Sequence, residues 1–187
     1  MTKKSSKKNL APTTPDLIVL SLLSEHPRHG YEINCELRRR EVQDWAEISR
    51  PQIYYSLTKL NSQQLIVSVI DKIPAQGAER QIYRITAKGK RALEKALAQT
   101  NWALHRPLSS FLTWLALSPH SSTGAFKQLI AQRRNFLQQE LAREQGTFEA
   151  LKNKNGPLVI PGKLMIELTI KQFQVELDWL EKVEKSR

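Results

Sequence analysis

The stretch SRPQIYYSLTKLNSQQLI, residues 49–66, predicts a helix with one apolar side and one polar side. Ser49 and Gln52 have the spacing of a capping box, in which each side chain satisfies a backbone N–H group of the other residue. This pair fixes the start of the helix locally. Apolar residues recur at i, i+4 and i+7 and predict a buried stripe: Ile53, Leu57 and Leu60.

The polar side of this helix contains no acidic residue. At about 100° per residue it carries these side chains: Pro51, Gln52, Tyr55, Thr58, Lys59 and Ser62, with Arg50 and Tyr54 on the flanks. The chain of 187 residues has a formal net charge of +11 and a pI near 9.9, and residues 1–100 carry most of the excess. Such a charge favours a polyanionic partner, either nucleic acid or an anionic membrane surface. The N-terminal half is therefore the better candidate for contacting a polyanion.

Two helices are predicted before this stretch. Thr14 and Pro15 are typical of a helix start, because threonine can cap and proline at the first helical position loses no needed N–H. The run 17–23 is apolar all round, as expected of a helix at the centre of a small domain, and Pro27 ends it. A second helix begins near Gly30.

After Leu65 the periodicity changes from helical to alternating. Residues 66–72 and 80–86 are rich in β-forming residues, and the segment between them contains proline and glycine, which predicts a hairpin. Three helices followed by a β-hairpin is the element order of a winged helix-turn-helix. Thr86 then caps a further helix, in which Gly89 is expected to be a mild local cost.

The second half of the chain is predicted to be wholly helical. A short helix lies between Pro107 and Pro119, and a long helix begins near Ser122. In the last helix an apolar seam with steps of 4, 3, 4 and 3 residues is assigned to dimerisation: Ile166, Ile170, Phe173, Leu177 and Leu180. A second apolar flank includes Leu164 and Leu168. A helix with two apolar flanks needs two partners, so we expect an antiparallel helix pair within the chain and a two-fold dimer between chains.

These elements predict a mainly α fold with a small β-hairpin. Residues 1–12 are expected to form a flexible basic arm, and residues 13–103 a winged helix-turn-helix domain. Residues 104–187 are expected to form a helical, coiled-coil-like dimerisation domain.

Some function classes are disfavoured by what the sequence lacks. No run of about 18 apolar residues could span a bilayer, and the N-terminal lysines are not followed directly by the apolar stretch of a signal peptide. Cys35 is the only cysteine, and its neighbours Ile33 and Leu37 suggest a buried, inert thiol. No Cys/His spacing fits a metal site, no cofactor is expected, and no local catalytic motif or phosphate-binding loop is present. We therefore expect a cytoplasmic protein that is not an enzyme.

Three segments, in their order and spacing, carry a resemblance to a known family: LSLLSEHPRHGYEI, ISRPQIYYSLTKLNSQQLI and ERQIYRITAKGKRALE. With them the sequence resembles the PadR family of bacterial transcriptional regulators. The resemblance covers residues 15 to about 97, and the remainder is similar in helix pattern to longer members with a virulence-activator-type C-terminal domain. It implies a DNA-binding winged helix and a helical dimerisation domain. The expected function is that of a homodimeric repressor that binds a palindromic double-stranded operator.

The resemblance also assigns individual positions. Three parts of this chain match the family's pattern, in the recognition helix, in the wing strand and at the start of the next helix: Tyr54, Tyr83, and Thr86 with Gly89. The chain departs from the family at Arg50 and Pro51, where two small residues are usual. It departs again at Gln64, where a glycine is usual, and this change is expected to leave the end of the helix without its left-handed residue.

The outward side of the opening helix is therefore expected to read DNA. Gln52 can pair with an adenine edge at two points, Arg50 can contact guanine, and the hydroxyl groups of Tyr54 and Tyr55 can reach phosphates. The full set of expected DNA contacts extends along the helix and into the wing: Arg50, Gln52, Tyr54, Tyr55, Lys59, Lys72, Gln76 and Arg80. The alternatives are an ordinary solvated helix face, or a winged helix that binds protein without reading DNA.

The family resemblance further implies an effector, a small aromatic or other apolar molecule, for residues 104–187 and the segment before them. Four residues that cluster where the two predicted domains meet could line its pocket: Trp102, His105, Arg106 and Trp114. The other interpretation is packing between the domains, which we favour because aromatic side chains commonly fill such interfaces.

Overall fold

The computed structural model describes residues 11–70, 81–104 and 109–186. The chain divides into two compact units, Met1–Arg106 and Pro107–Arg187. The main elements in chain order are α1 (Thr14–Glu25), β1 (Arg28–His29), α2 (Gly30–Arg39), α3 (Arg50–Ser62), β2 (Ile66–Ile70), β3 (Gln81–Ile85), α4 (Ala87–Leu97), α5 (Ser110–Leu117), α6 (Thr123–Leu151) and α7 (Val159–Lys185). Short 3-10 turns lie at Val42–Asp44, Thr100–Ala103 and Ser118–His120. The predicted fold class, mainly helical with a small antiparallel sheet, is confirmed.

The helix α1 forms the centre of the N-terminal unit. Val19 and Leu20 are fully buried, and the core around them includes the stripe of α3 that the sequence predicts. The cap is Thr13 and not Thr14, so the predicted cap was one residue late. Thr13 is the cap because Asp16, three residues further on, completes a capping box with it. The Thr13 N–H donates to Asp16 Oδ2 at 2.8 Å.

The sheet has three strands, in the order β1-β3-β2, and all pairs are antiparallel. The predicted hairpin is present as β2 and β3, with Ile66 opposite Ile85. The sequence analysis missed β1, because two residues are too few to show an alternating pattern. Arg28 of β1 pairs with Tyr83 of β3. The additional strand therefore joins the segment before α2 to the wing, which is the hairpin of β2 and β3.

A network of charges holds β1 in place. The buried Arg28 donates to Glu25 at 2.9 Å and lies 3.7 Å from Glu36, and Arg40 bridges the same two carboxylates. Hydrogen bonds from Arg39 and Arg40 lower the pKa of Glu36 from 4.5 to about 2. Hydrogen bonds from Arg40 are the main reason that the pKa of Glu25 is also lowered. The network joins the end of α1 to the end of α2.

The connection from α3 to the sheet corrects two expectations. Gln64 itself adopts the left-handed conformation, with φ of 60°, so the helix end keeps a left-handed residue despite the absence of glycine. This geometry lets Leu65 donate to the Leu60 carbonyl at 2.9 Å. Gly89 was expected to lower helix stability slightly, but the structure requires a glycine at this position. A Cβ there would lie 2.1 Å from the Leu65 carbonyl oxygen. As predicted, Thr86 caps α4, and its Oγ1 accepts from the Gly89 N–H at 3.0 Å.

The expectation of a buried thiol is wrong. Cys35 is exposed on α2, and its Sγ accepts from Arg38 Nη2 at 3.4 Å. The helix turns Ile33 and Leu37 into the core, but Cys35 lies two residues from each, or about 200° around the helix, which places it on the solvent side.

The C-terminal unit is built from α5, α6 and α7. α5 begins at Ser110 with Ser109 as its cap. α6 and α7 run antiparallel, because Arg133 pairs with Glu176 while Lys163 donates to the Lys152 carbonyl near the far end. The buried core of the unit combines all three helices: Phe111, Phe126, Ile130, Leu137, Leu180 and Val183.

Candidate functional site

The helix α3 is held in the N-terminal unit by its apolar stripe and by its cap. Ile53, Leu57 and Leu60 are at most 1% exposed. The Ser49 N–H donates to Gln52 Oε1 at 2.7 Å, which confirms the capping box. With one side buried and the start fixed, the opposite side is presented to solvent in a defined orientation.

The exposed side of α3 carries a cation and two phenols near its N-terminal end. Arg50 is exposed, Tyr54 is 43% exposed and Tyr55 is 70% exposed. Thr58, one turn further on, donates from Oγ1 to the Tyr54 carbonyl at 3.1 Å. The helix has no acidic residue, and its N-terminal dipole adds to the attraction for anions. This end of α3 can bind phosphate and base edges with Arg50 and the two tyrosines.

Gln52 lies on the exposed side, but its side-chain oxygen is already in use. Gln52 Oε1 accepts from both the backbone N–H and the hydroxyl of Ser49, at 2.7 and 3.1 Å. A two-point contact to adenine uses both the amide oxygen and the amide nitrogen. In this conformation only Nε2 is available, so two-point pairing requires the capping box to open.

Lys59, predicted as a DNA contact, is engaged inside the N-terminal unit and does not extend from the outward face. Its ammonium group lies 2.5 Å from Asp16 Oδ2, and its side chain is only 14% exposed. Asp16 is fully buried. Burial alone would raise the pKa of Asp16, but hydrogen bonds from Lys59 and Thr13 hold it below 3.8. The helical pattern placed Lys59 on the polar side, yet its flexible chain bends back to a buried carboxylate from α1.

Tyr54 of α3 and Tyr83 of β3 meet above Gly30, the first residue of α2. A Cβ at Gly30 would lie 3.4 Å from Tyr54 Cε1 and 3.9 Å from Tyr83 Cε2. Tyr83 donates from its hydroxyl to Gln81 Oε1 at 3.0 Å. Burial, with a smaller effect from Tyr54, raises the pKa of Tyr83 above 10. The structure therefore brings together the two tyrosines that the sequence analysis had placed in separate elements.

Two aromatic residues next to this pair were missed by the sequence analysis. His29 stacks on Tyr31, with ring centroids 5.9 Å apart, and its Nδ1 lies 3.2 Å from the Gln81 carbonyl oxygen. His29 ends β1 and is the cap residue of α2, and Tyr31, the second residue of α2, is 50% exposed. The sequence RHGYEI, with aromatic residues on both sides of a glycine, contained a signal for them. Together they extend the candidate surface from α3 to the wing.

Three predicted wing contacts, Lys72, Gln76 and Arg80, lie outside the described residues, as does most of the predicted basic arm. Within β3, Arg84 is exposed. The wing therefore contributes Arg84 and Gln81 to the described surface.

The residues predicted to line an effector pocket differ in their surroundings. Trp102 is about half exposed and donates from Nε1 to the Ala96 carbonyl at 2.9 Å. Trp114 stacks between Phe111 and Phe126, with centroids 5.5 and 5.6 Å apart, as part of the C-terminal core. His105 and Arg106 lie outside the described residues.

The seam assigned to dimerisation is used mainly within the chain. Leu180 is fully buried, and Phe173 and Leu177 pack against the same core, while Ile166 and Ile170 are partly buried. Four apolar residues of α7 that are each 54–68% exposed form a stripe on the opposite side of the helix, about 180° away: Ile160, Leu164, Leu168 and Val175. The predicted seam is therefore largely occupied within the chain, and this second stripe is the apolar flank of α7 that stays exposed.

In the part of the chain that the structure describes, no group of three His, Cys, Asp or Glu side chains could hold a metal ion. None of the helices in the described ranges is long and apolar enough to cross a membrane.

Three helices, an exposed polar face on the third, and an antiparallel hairpin joined by a short strand define a winged helix-turn-helix protein. The model of the transcriptional regulator PadR-like family matches residues 19–95. An uncharacterized protein of Lysinibacillus sphaericus is 31% identical over 88 residues, which are 47% of this chain and 77% of that relative. The chain belongs to the PadR-like family of transcriptional regulators.

Solved structures agree on the fold. Bacillus subtilis PadR in complex with operator DNA is 22% identical, with a TM-score of 0.75 over 91% of this chain and 97% of that chain. The protein smu.1604c of Streptococcus mutans is 24% identical, with a TM-score of 0.69 over 94% of this chain and 99% of that chain. These similarities extend the likeness from the winged helix to the helical part of the chain.

Proposed function

We propose that this regulator is a homodimeric repressor that reads double-stranded DNA with α3. The observation that carries the proposal is the acid-free outward side of α3, with Arg50, Tyr54 and Tyr55 exposed above a fully buried stripe. The structure of B. subtilis PadR with operator DNA, a protein of similar fold, supports it. The excess of positive charge supports it further.

The contacts divide into reading and anchoring. Arg50, at the first position of the helix, is assigned to a base edge, with guanine as the best match for its two parallel donors. Tyr54 and Tyr55 are assigned to phosphates, together with Tyr31 at the start of α2. Gln52 is assigned one amide donor, because its oxygen holds the cap. The wing residues Lys72, Gln76 and Arg80 complete the set as minor-groove or backbone contacts.

The decisive variant is Gln52→Glu. A glutamate at this position keeps the capping box, so the free energy of unfolding should change by less than about 0.5 kcal/mol. It also places a negative charge on the outward side and removes the amide donor, so DNA affinity should fall at least about tenfold. Fluorescence anisotropy with labelled duplex at one fixed salt concentration measures the affinity, and urea unfolding measures the stability.

The control is Gln99→Glu, which adds the same charge beyond α4. Gln99 lines a cavity with Gln63, at the opposite end of α3 from Arg50. Gln99→Glu should reduce DNA affinity much less than Gln52→Glu does. Equal losses for the two variants would show that only net charge matters, and unchanged binding in both would show that the outward side of α3 does not contact DNA. A wild type that does not bind duplex DNA would leave a protein-binding winged helix as the explanation.

The dimer is proposed to form through the exposed stripe of α7. Four apolar side chains that are more than half exposed on one side of a helix are costly to leave in water. A two-fold axis through such a stripe would bury it against its own copy. Leu164→Glu with Leu168→Glu should give folded monomers, whereas Ile170→Glu with Leu177→Glu should unfold the C-terminal unit. Sedimentation and circular dichroism distinguish these results, and a wild type that is monomeric at micromolar concentration would contradict the proposal.

A two-fold dimer predicts an operator that is an inverted repeat, with half-sites about one helical turn or a multiple apart. Selection of bound fragments from random duplex DNA measures this, and an asymmetric consensus would contradict it. Repression predicts that a reporter placed behind the selected site loses expression when the protein is supplied. Increased expression would identify an activator.

Small-molecule control is the last part of the proposal. B. subtilis PadR has been solved with p-coumaric acid, and in this chain Trp102 leaves about half of its surface exposed for an apolar ligand. We assign the effector to the surroundings of Trp102, His105 and Arg106. Titration of p-coumarate into the protein–DNA complex should release DNA, and Trp102→Ala should abolish the release without weakening DNA binding. Release that is unchanged in Trp102→Ala would remove this residue from the site.

A further inference from the structure

We propose that the N-terminal unit contains a binding site for a small amphipathic anion, a single carboxylate on an apolar chain. The site is an open cavity of about 350 Å³ between α4, the end of α3 and the segment of Ala11 and Pro12. This volume falls in the range of small-molecule pockets, about 300–1,000 Å³. The site is separate from the outward face of α3, and it does not depend on DNA binding.

The floor of the cavity is apolar. It is formed by Leu65, Ala92 and Ala96, and Pro12 stands at its edge. Leu65 and Ala96 are themselves buried, and Ala92 packs against the core. An apolar chain lying on this floor would remove both surfaces from water.

The rim of the cavity is positively charged. Lys88 and Lys95, two turns apart on α4, lie on the same side of the helix, and none of the nine described lining residues is acidic. Lys88 donates from Nζ to the Gln63 carbonyl at 2.8 Å, which holds its ammonium group at the rim with further N–H donors available. An apolar floor below two cations suits a ligand with a hydrocarbon body and one anionic head.

The charges decide between this ligand and the N-terminal arm of the same chain. The predicted arm precedes Ala11 in the sequence and has lysine at four of its first eight positions: Lys3, Lys4, Lys7 and Lys8. Placing these residues beside Lys88 and Lys95 would bring like charges together. A free anion gains from the same two lysines.

Octanoate is the probe, and octan-1-ol, with the same chain and no charge, is the matched ligand. Isothermal titration calorimetry with the full-length protein should show saturable binding of octanoate at one site per chain. Octan-1-ol should bind at least about tenfold more weakly, because it loses the charge-assisted hydrogen bonds. The variant Lys88→Gln with Lys95→Gln should weaken octanoate by a similar factor, while Lys90→Gln, which removes an exposed α4 lysine outside the cavity, should leave binding unchanged.

Amide NMR shifts on octanoate addition should cluster at Leu65, Ala92 and Ala96. The proposal is overturned if octanoate does not bind saturably, if octan-1-ol binds the wild type equally well, or if the shifts fall outside the cavity. Because the octan-1-ol comparison uses only the wild type, it remains decisive even if the double variant folds poorly. Failure of any of these tests leaves the DNA-binding proposal untouched, because none of them uses DNA.

Discussion

Replacing Lys59 by methionine tests whether this residue supports the fold or contacts DNA. In the structure its ammonium group lies 2.5 Å from Oδ2 of Asp16, a carboxylate that is fully buried. Methionine keeps most of the apolar stem and removes only the charge. The variant would leave Asp16 with neutral donors alone: the N–H and hydroxyl of Thr13, at 2.8 and 2.9 Å, and the side chain of Ser56.

The expected loss in the free energy of unfolding follows from the burial of the Asp16 carboxylate. Removing one partner of a buried ion pair typically costs about 3–5 kcal/mol. The Thr13 hydrogen bonds and the position of Asp16 in the first turn of α1 still stabilise the carboxylate, which places the expected loss near the lower limit, about 3 kcal/mol. A domain with a free energy of unfolding of about 5–15 kcal/mol would show this loss clearly.

The assay is urea unfolding of the full-length chain, followed by amide NMR signals of α1 and α3 so that the two units are scored separately. Lys59→Met should shift the unfolding of the N-terminal unit, and Lys90→Met, on an exposed lysine of α4, should not. Asp16→Asn combined with Lys59→Met should recover part of the loss, because the double variant buries no charge. The reasoning is refuted if Lys59→Met changes stability by less than about 0.5 kcal/mol and weakens DNA binding.

Three further predictions concern the same unit. Gln64→Gly should raise the free energy of unfolding by about 0.5–1 kcal/mol, because glycine adopts a positive φ without a Cβ clash; a lower urea midpoint would contradict this. Gly89→Ala should lower it by about 2–3 kcal/mol, because the new Cβ would meet the Leu65 carbonyl oxygen at 2.1 Å; near-normal stability in the same assay would show that the contact relaxes. Stability should also fall as pH drops from about 4.5 towards 2, because Glu36 has a lower pKa in the folded state and its contribution is lost through that window. Glu36→Gln should flatten this part of the acid unfolding curve, and an identical curve for wild type and variant would argue against it.

Sequence alone predicted the elements whose periodicity is long enough to read. The stripe of α3, its capping box and the hairpin all depend on local patterns, and each is confirmed. The two-residue strand β1 has no readable period and exists only because β3 pairs with it. Gly89 looked like a helix defect for the same reason: the atom that requires it belongs to Leu65, in another element.

The candidate site shows the same division between local and tertiary information. Helical angles correctly placed Tyr54 and Tyr55 on the exposed side of α3. The same angles misplaced Lys59, because the position of a Cβ does not determine where a long side chain ends. In α7 the spacing revealed two apolar flanks, but only the packing of α6 shows which flank is left exposed.

The pairing of β1 with β3 also has a consequence for how the chain folds. Arg28 and Tyr83 are partners, so the chain must close a long loop before this part of the sheet exists, and such closure slows folding. During synthesis, residues 28 and 29 leave the ribosome well before residues 81–85 can reach them. α1, α2 and α3 can make their contacts in that interval, whereas the sheet must wait for β3. We expect the nascent N-terminal unit to remain incomplete, and sensitive to protease, until β3 has emerged.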